Sequence, residues 1–142
     1  MPNWCMNKVT LSGEIAKEIY EYVSLGNGEF FSKYVPAEDS IEDHCNKWNT
    51  KWDVSCEDID ISKDGDIVTL QFLTAWSPPI SFFDSLANMY DGNIMLEYAE
   101  AGIGFIGMWD STSPLESLEW EIDDPSVPCS LKESFLKLYE TN

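Results

Sequence analysis

An α+β fold built on a split βαβ arrangement, an antiparallel sheet with helices on one face, is predicted by three observations. Hydrophobic residues make up 44% and aromatics 13% of the 142 residues, enough to bury one core in a domain of ordinary size. Apolar positions switch along the chain between a two-residue and a 3.6-residue period, which separates strands from helices. Those periods occur in the order strand, helix, strand, strand, helix, strand, the order of the split βαβ unit.

Residues 3–11, NWCMNKVTL, read as a first strand with Cys5, Val9 and Leu11 on one face, although Asn7 interrupts the alternation. Ser12 and Gly13 end it. In EIAKEIYEYV, Ile15, Ile19, Tyr22 and Val23 fall at helical spacing while Glu14, Lys17, Glu18 and Glu21 look outward. The loop around Gly26 and Gly28 ends this amphipathic helix. From FFSKYVPAEDSIEDHC to NKWNTKWDVS neither period holds for long, and Pro36 divides an aromatic patch from an acidic one. The stretch reads as a long ordered insertion.

Within WDVSCEDIDIS, Val54, Cys56 and Ile59 or Ile61 predict a short strand, and KDGD supplies a turn centred on Asp64-Gly65. DIVTLQFLTAW sets Val68, Leu70 and Phe72 against Thr69 and Gln71, with β-branched residues suited to a half-buried pleat. SPPI starts a helix, with Ser77 as cap and Pro78 in the first turn, where its missing N–H costs nothing. Ile80, Phe83, Leu86, Ala87 and Tyr90 share a face, and Asp91-Gly92 stop the helix. NIMLEYAEAG returns to a strand, with Ile94, Leu96 and Tyr98 on one side. GFIGMW and SLEWEI are candidate further strands. SLKESFLKLY is a closing helix with Ser130 and Glu133 at capping-box spacing and Leu131, Phe135 and Leu138 as its apolar stripe. The expected architecture is a ferredoxin-like sandwich: one domain over residues 1–142, a core of about 1–110, a long loop insertion and a C-terminal strand-helix extension over 111–142.

The charge balance is lopsided: 26 Asp and Glu face 8 basic residues, all lysine, for a net charge of −18. Arginine's planar fork is the favoured grip on phosphate and guanine, and nucleic-acid binders cluster basic residues on one face, so direct nucleic-acid binding is disfavoured. An anionic membrane would repel the chain as well. The partners expected are basic proteins, drawn by attraction that salt weakens. Cys5, Cys45, Cys56 and Cys129 match no compact disulfide framework and no signal peptide precedes them, so reduced thiols are expected. The tight Cys or His pairs of a zinc site are missing from the sequence, and no cofactor is expected. No apolar run approaches the roughly 20 residues that span a bilayer; a soluble cytoplasmic protein is the expectation.

Four segments carry a resemblance: MPNWC at 1–5, CNKWNTKWDVS at 45–55, TAWSPP at 74–79 and YAEAGIGFIG at 98–107. In this order they resemble the YubB-like group of phage and plasmid proteins over about the first 110 residues. The resemblance implies a ferredoxin-like domain and does not imply an activity. Asn49 stands where the group commonly has glycine, and asparagine is among the few residues that tolerate a left-handed backbone.

Three candidate sites follow. Trp48 and Trp52, each a large apolar body with one N–H donor, read as a structural clasp joined by Trp4 and Trp76, with Lys51 and Asp53 paired across the same turn. The same residues read alternatively as a pocket for an anionic or planar ligand, helped by the helix start after Ser77, although Pro78 and Pro79 remove two first-turn donors. For acid-base chemistry only Glu100 and Asp53 are borne on motifs, and nothing pairs them, so an enzyme is unsupported. Finally, Asp58, Asp60, Asp64 and Asp66, together with Glu116, Glu119, Glu121, Asp123 and Asp124, could line up like backbone phosphates. Such a surface would occupy the nucleic-acid groove of a host protein, a nuclease or defence complex, by mimicking the polyanion. The leading expectation is therefore an inhibitor that binds a host protein.

Overall fold

The computed structural model describes residues 3–113 and 117–139. Its strands are β1 (Trp4–Ser12), β2 (Asp60–Asp64), β3 (Ile67–Ala75), β4 (Asn93–Glu100), β5 (Phe105–Asp110) and β6 (Ser117–Glu121). Its helices are α1 (Glu14–Ser24), α2 (Phe31–Tyr34), α3 (Ile41–Trp48), α4 (Ile80–Ala87) and α5 (Cys129–Ser134). The strands form one sheet in the order β2-β3-β1-β4-β5-β6 with every neighbouring pair antiparallel. The first four strands with α1 and α4 make the ferredoxin-like unit, and β5 and β6 continue the sheet beyond β4.

Register explains the main core. Val9 lies between Leu70 and Leu96, and Leu11 between Val68 and Ile94, so each apolar residue of β1 meets apolar partners on both sides. This face is covered by the stripe Ile15, Ala16, Ile19 and Val23 of α1 and by Phe82, Phe83 and Leu86 of α4. Tyr98 needs the glycine opposite it: a Cβ on Gly107 would sit 2.5 Å from the phenol ring.

The insertion is more regular than the sequence suggests. Ser40 caps α3 by accepting the Asp43 N–H, and the helix closes on a left-handed Asn49 at φ 68°. Trp48 is the buried residue of this helix, so its periodicity is hidden. Phe30, Phe31 and Tyr34 are buried, with ring centroids 5.1 Å (Phe30) and 4.6 Å (Phe31) from Phe82. The insertion therefore supplies much of the aromatic core.

Several boundaries move. Val54 and Cys56 precede β2, Cys56 opening a 3-10 turn to Asp58, and the hairpin turn is Gly65-Asp66, one residue later than expected. Ser77 does not cap α4, because Pro79 precedes Ile80 and the Ser77 hydroxyl donates to the Asn49 carbonyl instead. Ser130 lies inside α5, which follows Pro128, so Ser130 and Glu133 form no capping box.

The C-terminal segment crosses to the other face of the sheet. Strand alternation turns Met6, Leu73, Ala99, Ile106 and Trp120 away from α1 and α4, and these five form one row across the strands. Val127, Leu131 and Phe135 cover the Ala99 and Ile106 part of that row in a second core, with Leu138 packed against it. Replacing the fully buried Leu131 with alanine should lower stability by about 2–5 kcal/mol in urea unfolding; an unchanged midpoint would mean that this segment does not pack on the sheet.

Candidate functional site

The four sequence segments meet at one end of the sheet, where β1 begins and β3 and β4 end. Asn7, the residue that broke the strand alternation, is buried there, its Nδ2 donating to Thr74 Oγ1 at 2.9 Å and to the Phe72 and Cys5 carbonyls at 3.3 and 3.2 Å. Thr74 Oγ1 donates in turn to the Ser77 carbonyl at 2.7 Å. Ser77 Oγ donates to the Asn49 carbonyl, and Asn49 Nδ2 to the Pro78 carbonyl at 2.9 Å. The loop after β3 and the loop after α3 are thereby tied to β1. Asn7 and Thr74 are structural positions that pattern reading missed; the polar interruption at Asn7 was the signal.

The tryptophans divide into two roles. Trp48 is 2% exposed, donates Nε1 to the Val35 carbonyl at 2.7 Å and stacks on His44 at 4.6 Å. His44 Nδ1 donates to the Lys51 carbonyl at 2.8 Å, so the ring pins the following loop. Trp4, Trp52 and Trp76 are instead 43%, 38% and 44% exposed. Trp4 meets Trp52 edge to face at 5.9 Å, and Lys51 Nζ lies 4.2 Å from the Trp76 ring and 5.0 Å from the Trp52 ring. Trp76 takes a left-handed backbone at φ 73°, unusual for a bulky residue, and its N–H donates to the Asn3 carbonyl at 2.8 Å.

The expected pairing of Lys51 with Asp53 does not form. Asp53 accepts from the N–H groups of Phe31, Ser32 and Val54 at 2.7, 2.9 and 2.8 Å and from the Ser32 hydroxyl at 2.7 Å, which satisfies the start of α2. Glu100 is 1% exposed, and its two oxygens accept from the Gly102 and Ile103 N–H groups at 2.6 and 2.7 Å. Both motif-borne carboxylates thus hold backbone. Cys5 lies opposite Glu100 across the strand pair. Burial, and then the charge of Glu100, push the Cys5 thiol up to about 12.

The acidic residues do not form one row. Asp58, Asp60, Asp64 and Asp66 are exposed around β2, and Glu119, Glu121 and Asp123 are exposed on and after β6, with Asp124 half-buried beside them. These strands are the opposite edges of the sheet, five spacings or roughly 24 Å apart. Glu119 accepts from the Tyr98 hydroxyl at 3.1 Å, and the Ser126 N–H holds the Asp124 carboxyl below its ordinary range. Glu116 lies outside the described residues. Among the described residues there is one ion pair, Lys47 with Asp43 at 3.5 Å.

A groove of about 760 Å3 opens on the face away from α1 and α4, between β1, β3 and the end of α5. Trp4 and Trp52 close one end, Met6, Leu73, Phe135 and Leu136 supply apolar wall, and Asp58, Asp60 and Glu133 line it with Lys8. This groove is where part of the acidic set and part of the tryptophan set come together. Its sequence signal was Leu73, an apolar residue on the outward alternation of β3.

Two outcomes follow. Trp48→Ala should cost about 3–5 kcal/mol, while Trp52→Ala should change stability by less than about 1 kcal/mol; equal losses in thermal melts would refute the division of roles. The raised Cys5 thiol favours the protonated form in the folded chain, so its stabilisation is present below about pH 9 and is lost as pH rises toward about 12. Stability should therefore fall faster across that window in the parent than in Cys5→Ala, as read by urea unfolding at successive pH values.

Comparison with known proteins gives a family. A family model described as the ferredoxin-like domain in Api92-like protein matches residues 47–140, well over half of the chain. The match takes in the C-terminal segment as well as β2 to β6. No curated protein and no solved structure matches. The sheet order agrees with this match, and the chain belongs to the family of the ferredoxin-like domain in Api92-like protein.

Proposed function

We propose that this protein acts by binding rather than by catalysis, and that its partner is a host protein with a basic surface, a nuclease or a defence complex, which it inhibits by occupying a nucleic-acid groove. In this reading it is a phage or plasmid protein of the YubB-like group working in the host cytoplasm. The observation that carries the proposal is a net charge of −18 combined with a single internal ion pair among the described residues. Carboxylates left unpaired at the surface keep their field for a partner. The engagement of Glu100 and Asp53 by backbone N–H groups also supports a non-catalytic role. No helix of the described residues is long and apolar enough to cross a membrane.

A separation of roughly 24 Å between the two acidic edges suits a broad nucleic-acid groove touched on both of its walls. A second reading, a small-ligand module at the tryptophan corner, is favoured by the exposure of Trp4, Trp52 and Trp76 around Lys51.

Immobilised full-length protein should retain basic nucleic-acid-binding proteins from bacterial lysate at low salt and release them to added salt or duplex DNA. Reversal of the exposed Glu121 and Asp123 to lysine should lower retention about tenfold or more with the melt unchanged, and adding Glu119 and Asp124 should lower it further at some cost in stability, since these two accept from Tyr98 and Ser126. Retention indifferent to salt, DNA and charge reversal would overturn polyanion mimicry, and loss of binding to a small anionic ligand in Trp52→Ala would favour the second reading.

A further inference from the structure

We propose that the groove beside Trp4 and Trp52 is the docking site for an extended cationic segment of the protein partner, carrying alternating apolar and basic side chains. This rests on the reading that the partner is a basic protein, and it adds the place and the chemistry of contact.

Exposure is the first argument. Trp4, Trp52, Leu73 and Leu136 are four of the exposed large hydrophobic residues of the described chain, and all four line this one groove. Apolar surface gathered in a concavity and rimmed by polar groups marks an interaction site, whereas singly scattered residues do not. Charge is the second argument. Asp58, Asp60 and Glu133 face Lys8 in the lining, a net negative wall that excludes an acidic segment and attracts a basic one.

The third argument is preorganisation. Trp52 is held between Thr50, whose hydroxyl donates to the Trp52 carbonyl at 3.1 Å, and Asp53, which is anchored to α2. An aromatic wall fixed before binding loses little entropy when a partner arrives. Trp52 already lies 5.0 Å from the Lys51 cation, which shows its ring in use as a cation acceptor.

The groove also sets a length. From Trp4 to Lys8 along β1 is four strand steps, about 13 Å, the span of about four extended residues. An apolar side chain would rest on Leu73 and Leu136, and a basic one would reach Asp58, Asp60 or Glu133 with its stem along an indole.

The test uses the full chain and a fluorescein-labelled hexapeptide of alternating arginine and leucine, read by anisotropy and by tryptophan emission. Expected are saturable binding, at least tenfold weaker binding of the arginine-serine and glutamate-leucine counterparts, and losses of about tenfold in Leu73→Glu and Asp60→Lys. Both positions are exposed, so unchanged melts would separate lost docking from lost fold. Glu119→Lys, at the far edge, should bind as the parent does. Equal binding of the arginine-serine peptide, or loss in Glu119→Lys without loss in Leu73→Glu, would overturn the proposal in favour of diffuse attraction. Argininamide binding as tightly as the peptide would overturn it in favour of a small-cation site. A lysate protein that Leu73→Glu still retains but the β6 reversals lose would remove the groove and leave the proposed function standing. Peptide docking in the groove without any basic protein retained would do the reverse.

Discussion

The relay from Asn7 through Thr74 and Ser77 to Asn49 is the constraint on which the organised end of this molecule depends. A buried polar network is stabilising only when its members are satisfied, because each orphaned group bears its full desolvation cost. Asn7 and Thr74 are 2% exposed, so their half of the relay is shielded from water. Its geometry requires the left-handed turn at Asn49 and the loop after β3 to close on each other. That closure holds Lys51, Trp52 and Trp76 at the surface in one arrangement, and it leaves Trp48 alone of this group in the core.

The sheet is used on both faces, by different means. On one face α1, α4 and the aromatic insertion make a continuous core. On the other, the C-terminal segment buries Ala99 and Ile106, packs in part on Met6 and Trp120, and leaves Leu73 in the open. The groove is therefore a by-product of incomplete covering: the sheet offers five apolar positions in a row, and among the described residues Leu73 is left unshielded.

Much of the fold was legible because periodicity reports burial directly. The alternation of β3 and the helical stripe of α1 fall where the pattern placed them. The stripe Leu131, Phe135 and Leu138 was legible too, yet its destination was not, since a stripe says which residues are buried and never against which face. Helix α3 escaped because it buries one residue, and its remaining sign, Ser40 three residues before Asp43, is a capping spacing rather than a period. The site was legible in its parts. What sequence could not supply was adjacency: neighbouring carboxylate runs became the two far edges of a sheet, and Asp58 with Asp60 joined Trp4 and Trp52 from distant positions. Ser77 was read as the cap of α4 for the same reason, whereas its hydroxyl donates to a carbonyl 28 residues earlier.

Among the described residues, strands β2 and β6 each leave one side without a neighbour, and an open strand is a template on which another chain can add. Asp60 and Asp64 on the first, with Glu119 and Glu121 on the second, set like charges where a second copy would have to align its own. The acidic rim is thus an insulator that keeps copies of the sheet from stitching together end to end. Neutral substitutions along that rim would strip the insulation from both edges at once, so the same residues set solubility and self-association together.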